Sequence, residues 1–345
     1  MIRRFRRSMA ATALDPRQSP LALIRSKDPQ NNVVVEEIEG LIRVYKDGHV
    51  ERPQMVPCVP PTLPPELGIT CRDIAIDKYT NVWARLYVPN SSKSKKLPLL
   101  VYFHGGGFCV GSAAWSCYHD FLAKLASQSN VVILSVNYRL APENPLPAAY
   151  DDGVKALIWL RQQESVSSSE WWANKCNFSR IYLSGDSAGA NIAFHVALTR
   201  PNRPPDVVLQ GLILIQPFFG GEARTNSEKY TAQSPRSALT LAASDAYWRM
   251  SLPAGANRDH PWCNPAAGKV VPAAAMRTMV CVAEMDILKD RSGEVCGKLG
   301  SQMGVRMEQV IISKGVGHAF QILNKSALSQ ARTNELISCI TNFVH

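Results

Sequence analysis

Short apolar segments alternate with helical segments along most of this chain, and this alternation constrains its fold more than any other feature. Residues 99–103 form a continuous apolar run, as expected of a strand that is buried on both faces of a sheet. Strands separated by helical segments of roughly 10 to 15 residues predict βαβ units and a mostly parallel sheet. The predicted strands are 73–76, 82–88, 99–103, 131–136, 179–184, 209–215, 278–283 and 307–312. The predicted helices are 116–128, 148–162, 188–199, 291–303 and 328–344.

One serine lies at the junction of a predicted strand and a predicted helix. Ser187 is the centre of Gly185-Asp186-Ser187-Ala188-Gly189, which matches the pattern G-x-S-x-G. In such a nucleophile elbow the strand turns sharply into a helix, and the serine hydroxyl is held out for attack. The strand before the motif and the helix after it both fit this interpretation. Ser187 is therefore the predicted nucleophile.

A serine hydroxyl is a weak nucleophile at neutral pH and needs a base within hydrogen-bond reach. Among the seven histidines, His119 and His195 fall within predicted helices, where a structural role is expected. His318 follows the last predicted strand directly. Loops beyond the carboxyl ends of parallel strands are where such sheets hold their catalytic groups, so His318 is the predicted base.

The base needs a carboxylate to orient it, and ten acids lie between Ser187 and His318. Only Glu284 and Asp286 directly follow a predicted strand. Spacing does not separate these two. Either acid gives the chain order serine, acid, histidine that is expected on this kind of sheet.

A glycine loop follows the predicted strand 99–103. Gly105, Gly106 and Gly107 lack side chains, so their backbone N–H groups are predicted to stabilise the negative charge that develops on a substrate oxygen. A phosphate-binding loop is excluded by detail, since Val110 replaces the last glycine of G-x-G-x-x-G and no G-K-[ST] follows.

Charge and composition argue against a nucleic-acid-binding protein, a membrane-spanning protein and a zinc-stabilised protein. The formal net charge is +10, but residues 1–32 hold seven Lys or Arg against Asp15 and Asp28 and so supply +5 of it. No basic patch with interleaved aromatic residues is present, so no nucleic-acid partner is expected. No apolar run approaches the roughly 18 to 20 residues of a membrane span. The nine cysteines include no C-x-x-C pair, which predicts a reduced intracellular protein without structural zinc.

The regions outside the alternating pattern are predicted to be peripheral. Residues 1–32 are interpreted as a disordered extension or a transit peptide, and 33–345 as a single domain. A short helix is expected within 33–42, and a hairpin at 42–52 with its turn at Asp47-Gly48. Six prolines between residues 53 and 66 predict irregular structure there. Residues 220–275 look like an insertion, with a helix at 239–250.

Four linked motifs then indicate a family. The segments HGGGF at 104–108, YRLAPE at 138–143, PAAYDD at 147–152 and GDSAG at 185–189 resemble the plant carboxylesterases of the hormone-sensitive-lipase group, relatives of the gibberellin receptor. The resemblance implies an α/β-hydrolase fold, with a lid formed by about 33–66 and by 220–275 after the sixth core strand. It also implies that Asp286 is the acid and that Ala188 joins the Gly105–Gly107 loop as an oxyanion donor. The residues expected in the substrate pocket are Tyr118, Phe218, Phe219 and Trp248.

The predicted function is hydrolysis of small-molecule carboxylic esters through an acyl-enzyme, with no metal or organic cofactor. One alternative is a ligand receptor with a disabled site, as in the gibberellin receptor, although that receptor lacks the base that this chain has in His318. A second is a lyase or cyclase that acts on a specialised plant metabolite. The expected compartment is the cytoplasm, or the mitochondrion or chloroplast if residues 1–32 are a transit peptide. The oligomeric state is not predicted.

Overall fold

The computed structural model describes residues 33–90, 96–165, 170–198, 204, 207–233, 237–267, 276–302 and 306–345. The predicted extension at 1–32 lies outside these residues. Among the described helices, none is long and apolar enough to cross a membrane.

An eight-stranded, mostly parallel sheet forms the centre of the molecule. Its strands are β4 (Ile69–Asp77), β5 (Val82–Pro89), β6 (Leu97–Phe103), β7 (Val132–Asn137), β8 (Cys176–Asp186), β9 (Leu209–Ile215), β10 (Arg277–Ala283) and β11 (Arg306–Ser313). Their order across the sheet is β11-β10-β9-β8-β6-β7-β5-β4, and β5 runs in the direction opposite to the other seven. This topology confirms the predicted α/β-hydrolase fold.

Helices cover both faces of this sheet. Alternate residues of β6 point to opposite sides, so that Leu99 and Val101 join one apolar cluster and Leu100 and Tyr102 join the other. All of β6 is buried, as its continuous apolar run predicts, and each fully buried side chain contributes roughly 1.5–3 kcal/mol. The helices are α1 (Ser116–Ser129), α2 (Ala148–Ser165), α3 (Ala188–Leu198), α4 (Asn226–Tyr230), α5 (Leu241–Ser251), α6 (Lys289–Gln302), α7 (Phe320–Leu323) and α8 (Ala327–Val344). The first cluster includes side chains of α2, α3 and α5, and the second includes side chains of α1 and α8.

The N-terminal segment corrects one prediction. The short helix expected within 33–42 is a strand, β1 (Val34–Ile38), which pairs antiparallel with β2 (Ile42–Tyr45). The β-branched residues that open this segment favour an extended backbone, and pairing with β2 decides the outcome. The predicted hairpin is present, since β2 also pairs with β3 (Val50–Glu51). Together β1, β2 and β3 form a separate three-stranded sheet.

The two remaining peripheral segments are the proline-rich stretch and the insertion. The proline-rich stretch forms only a 3-10 turn at Pro65–Leu67 and an isolated bridge from Cys58 to Trp115, in agreement with the predicted irregular structure. The insertion follows β9, which is the sixth strand of the main sheet in chain order, and it contains α4 and α5. Arg249 of α5 forms an ion pair with Glu36 of β1 at 2.8 Å, so the insertion contacts the N-terminal sheet.

Candidate active site

Ser187 occupies a strained turn between β8 and α3. Its φ is 52°, in the left-handed region that a non-glycine residue adopts only at a cost of about 1–3 kcal/mol. The turn requires the flanking glycines, because a Cβ on Gly189 would lie 1.9 Å from the carbonyl oxygen of Phe103, and one on Gly185 would lie 2.3 Å from the carbonyl carbon of Gly189. The motif therefore folds as the nucleophile elbow that its sequence predicts.

His318 lies between Ser187 and a carboxylate. Its Nε2 is 2.9 Å from Ser187 Oγ, and its Nδ1 is 2.7 Å from Asp286 Oδ2. Burial lowers the pKa of His318, but the charge and hydrogen bond of Asp286 and the charge of Asp186 raise it, and the net pKa is above its ordinary value. A neutral imidazole that donates from Nδ1 to Asp286 leaves Nε2 free to accept the serine proton.

The structure separates the two acids that spacing leaves open. Asp286 faces His318, and its other oxygen accepts the N–H of Leu288 at 3.0 Å. Glu284 instead accepts the N–H of Gly315 at 2.9 Å. Asp286 is therefore the acid that contacts the histidine, as the family resemblance implies.

The glycine loop lies beside the serine because of the register of the sheet. Phe103 at the end of β6 pairs with Gly185 near the end of β8, so the segments that follow the two strands are adjacent. Gly106 and Gly107 line the same cavity as Ser187, with φ of 110° and 58°. A Cβ on Gly107 would lie 2.2 Å from Cγ of the Tyr247 ring. Only glycine therefore allows this loop to pass so close to the insertion.

The N–H of Gly105, one of the predicted oxyanion donors, is hydrogen-bonded within the protein. Its N–H donates to Tyr118 Oη at 2.7 Å and to Asp186 Oδ1 at 3.1 Å, so it is already satisfied inside the protein. Ala188 is the first residue of α3, where helix geometry gives the N–H no partner within the helix. The backbone groups of Gly106, Gly107 and Ala188 remain as the candidate donors.

Asp186 is a site residue that the sequence reasoning missed. It is buried, lines the cavity next to Ser187, and accepts hydrogen bonds from Tyr102 at 2.8 Å and Tyr118 at 3.0 Å besides that from Gly105. Burial raises its pKa to about 6, although these hydrogen bonds oppose the shift. The only signal in the sequence was its position inside the G-x-S-x-G motif. Its carboxylate connects the elbow to the glycine loop.

The cavity contains two of the four predicted pocket residues. Tyr118 and Phe218 line it, whereas Phe219 and Trp248 do not. The Trp248 ring stacks on the Phe218 ring, with their centroids 4.6 Å apart. The Phe219 ring packs edge-on against the Phe194 ring, with their centroids 5.2 Å apart. Both are buried core residues that do not line the cavity at Ser187. Apolar side chains that the prediction missed line much of the cavity: Leu41, Val110, Trp115, Leu239, Ile322 and Leu323.

The other buried histidines are held away from Ser187 by their own partners. His104 Nδ1 bonds the Gly105 carbonyl at 2.8 Å and its ring stacks on Tyr138, and burial lowers its pKa to about 4. His119 contacts the Thr62 carbonyl at 3.1 Å, and His195 contacts the Trp262 carbonyl at 3.2 Å. These contacts agree with the structural roles predicted for His119 and His195.

The N-terminal segment is attached to the far end of the glycine loop by Arg52. Its guanidinium donates to the carbonyl oxygens of Cys109 at 2.6 Å and Ala141 at 2.9 Å, and it is paired with Glu143. Glu143 closes the YRLAPE motif at 138–143. One side chain thus joins the segment that contributes Leu41 to the cavity with the loop that contributes Gly106 and Gly107.

The fold and this geometry define a hydrolase of the serine type, and comparison with known proteins agrees. A sequence profile described as the alpha/beta hydrolase fold matches residues 100–322. The chain belongs to the α/β-hydrolase family.

Individual proteins with similar sequences or structures are esterases or related enzymes by their descriptions. The chain is 54% identical over 334 residues to probable carboxylesterase 6 of Arabidopsis thaliana, which covers 94% of this chain and 97% of that protein. It is 36% identical over 316 residues to tuliposide A-converting enzyme 1, chloroplastic, of Tulipa gesneriana, covering 88% and 77% of the two chains. Among solved structures, an esterase of Pyrobaculum calidifontis superposes with a TM-score of 0.66 at 26% identity, covering 79% of this chain and 85% of that one. The resemblance to plant carboxylesterases is thereby confirmed.

Proposed function

We propose that this chain is a serine carboxylester hydrolase that acts on small-molecule esters. The observation that carries the proposal is the contact of His318 with both Ser187 Oγ, at 2.9 Å, and Asp286 Oδ2, at 2.7 Å. Nucleophile, base and orienting acid in this arrangement form the catalytic triad of acyl transfer. The 54% identity to a probable carboxylesterase supports the same activity.

The geometry leads to a two-step reaction. Ser187 Oγ attacks the ester carbonyl carbon while His318 Nε2 takes the hydroxyl proton and Asp286 stabilises the imidazolium. The carbonyl oxygen becomes an oxyanion, which the N–H groups of Gly106, Gly107 and Ala188 stabilise, each by roughly 3–4 kcal/mol by analogy with other oxyanion holes. The tetrahedral intermediate collapses, and His318 returns the proton to the departing alcohol.

Water completes the cycle. His318 takes a proton from the water molecule as the water oxygen attacks the acyl carbon bound to Ser187 Oγ. The second tetrahedral intermediate then collapses, His318 returns the proton to Ser187 Oγ, and the carboxylic acid is released.

The substrate space is bounded by the N-terminal segment and the insertion. Leu41 comes from the turn between β1 and β2, and Leu239 and Tyr247 come from the insertion. These contributions support the assignment of about 33–66 and 220–275 as the lid. The apolar lining favours esters with an apolar acyl or alcohol group, which lose water on entering the cavity at a gain of about 25 cal/mol per Å².

Hydrolysis is favoured over a non-catalytic receptor because the base is present and in contact with the serine. It is favoured over a lyase or cyclase because the strained turn at Ser187, with φ of 52°, presents a nucleophile that an elimination does not need. A binding protein would tolerate the loss of the Ser187 hydroxyl, and an elimination would need only His318 and the oxyanion donors.

The test is hydrolysis of 4-nitrophenyl esters of two to eight acyl carbons by the full chain. We expect Ser187→Ala to reduce kcat at least about 10⁴-fold, as loss of a triad serine does elsewhere. The matched control is Ser184→Ala in the same strand, since Ser184 Oγ has no hydrogen-bond partner among the described residues. Equal hydrolysis by Ser187→Ala and the parent chain would falsify the proposal.

The proposed compartment is the cytoplasm, with a plastid or the mitochondrion as the alternative. One relative bears the description chloroplastic. A fluorescent fusion of the full chain, compared with the same fusion lacking residues 1–32, decides between them: organelle fluorescence that requires 1–32 supports a transit peptide.

A further inference from the structure

Gln216 is a buried polar residue at the centre of the catalytic loops that the reaction described above does not use. It directly follows β9 and is 2% exposed. Its backbone N–H donates to the Cys281 carbonyl of β10 at 2.7 Å, and its φ is 47°. A left-handed backbone costs free energy for a residue other than glycine. Such residues cluster at functional sites, where the surrounding contacts hold them in place.

The Gln216 side chain is hydrogen-bonded to the loop that carries His318. Oε1 accepts the N–H of Ala319 at 2.5 Å, and Nε2 donates to Gln321 Oε1 at 3.3 Å. Ala319 is the residue after His318 and is itself left-handed, with φ of 57°. One amide therefore bonds both the backbone immediately beyond His318 and the side chain of Gln321.

The segment 215–218, which contains Gln216, is also hydrogen-bonded to the backbone of Ser187. The Ser187 N–H donates to the Ile215 carbonyl at 2.9 Å, and the Phe218 N–H donates to the Ser187 carbonyl at 3.0 Å. Residues 215–218 thus contact the serine through their backbone and the histidine loop through the Gln216 side chain.

We propose that Gln216 is a positioning residue that sets His318 relative to Ser187 by holding Ala319 in its left-handed conformation. This inference rests on the proposed ester hydrolysis. Gln216 touches no reacting atom and acts only through the loop. A displacement of about 1 Å between reacting groups costs on the order of 10²-fold in rate, so a loosened loop lowers kcat without changing the apolar cavity that binds substrate.

The decisive comparison uses Gln216→Met and Gln216→Glu in the full chain. Methionine has a similar length but no acceptor for the Ala319 N–H. The introduced carboxylate keeps that acceptor, and Gln321 can turn its amide to donate from Nε2, which has no partner among the described residues. Gln162→Met, at an exposed position of α2, controls for the chemistry of the substitution.

With a 4-nitrophenyl ester, we expect Gln216→Met to lower kcat at least fivefold with KM within threefold of the parent. Gln216→Glu is expected to be at least threefold faster than Gln216→Met, and Gln162→Met to match the parent. A smaller loss, a loss confined to KM, or no recovery with glutamate overturns the proposal. If Gln216→Met gives no cooperative unfolding transition, Gln216→Asn replaces it under the same criteria, because its amide is one methylene too short to reach Ala319.

A second readout does not depend on hydrolysis. Nitrogen-15 NMR of labelled histidines follows the titration of His318 in the parent and in Gln216→Met. We expect the pKa of His318 to fall by at least half a unit in the variant, since a loosened loop weakens the contact with Asp286. An unchanged pKa contradicts the proposal. If the parent cleaves no ester, the proposed function fails while this titration still decides the role of Gln216.

Discussion

Arg52 and Glu143 form a bidentate ion pair, with Nη1 2.7 Å from Oε1 and Nη2 2.5 Å from Oε2. Planar pairing of this kind is among the stronger polar contacts in proteins, and here it joins the N-terminal segment to the end of the YRLAPE motif. The same guanidinium also bonds the Cys109 carbonyl, two residues beyond Gly107. The pair thus connects one part of the proposed lid to the oxyanion loop.

Arg52→Met is expected to destabilise the protein by about 2 kcal/mol, since hydrogen bonds to charged groups contribute roughly 1.5–3 kcal/mol. We also expect a several-fold lower kcat, because the loop end at Cys109 loses its anchor. Urea unfolding and ester kinetics measure the two effects. The control is Arg43→Met in the sheet that Arg52 directly follows, because the pair of Arg43 with Glu37 is exposed and water screens it, so little change in stability is expected. Equal effects of both substitutions would show that the Arg52 anchor has no special role.

The pH dependence of kcat/KM is expected to show an acid limb set by His318. Only the neutral imidazole accepts the serine proton, and the pKa of His318 is raised in the folded chain, so activity falls as pH drops through that raised value. Removal of the carboxylate charge in Asp286→Asn lowers the pKa of the imidazolium. The acid limb therefore moves to lower pH while kcat falls, by roughly 10⁴-fold if it follows other serine hydrolases. A limb that moves to higher pH, or stays in place, contradicts the assignment of Asp286.

Asp186 is expected to make the protein less stable as pH rises. Burial raises its pKa from the ordinary value of 3.8 to about 6 in the folded state, which therefore binds the proton more tightly than the unfolded chain does. The stability contributed by this group is lost as pH increases from about 4 to 6. A difference of about two pKa units corresponds to about 3 kcal/mol. Asp186→Asn removes this titration. Urea unfolding measures the free energy of unfolding of the parent and of the variant at each pH. The value for the parent minus the value for the variant should fall by about 3 kcal/mol between pH 4 and 7. A difference that does not change with pH contradicts the raised pKa of Asp186.

Gly107→Ala is expected to abolish most activity. The new Cβ would overlap the Tyr247 ring, and φ of 58° disfavours a side chain, so the loop must move and misplace a donor at a cost of roughly 10²- to 10³-fold in kcat. Gly48→Ala is the matched control, because its φ of 83° is also positive but no atom of the described residues lies within 4 Å of the new Cβ. It should lose a little stability and keep full kcat. Normal kinetics for Gly107→Ala would remove Gly107 from the oxyanion donors.

The sequence was sufficient for features that local pattern determines. The apolar runs gave the strands of the main sheet, and the strand-to-helix context of Ser187 gave the elbow. His318 could be selected because strand ends meet at one edge of a parallel sheet.

Features that depend on contacts between distant residues could not be obtained in this way. Glu284 and Asp286 are two residues apart after one strand, and only the direction of the side chain separates them. Gly105 looked equivalent to Gly106, but its N–H is taken by Tyr118 and Asp186, which lie 13 and 81 residues away. The β-branched residues around Val34 favour an extended backbone, but the pairing with β2 that makes this segment a strand is a contact with another segment.

The 131 residues that separate Ser187 from His318 also order events during synthesis. A ribosome that adds about 5–20 residues per second needs on the order of 10 seconds between the two. During that interval the growing polypeptide carries its serine and glycine loop without a proton acceptor. The serine of the nascent chain therefore reacts with surrounding esters only as a weak nucleophile until the histidine loop has emerged and docked.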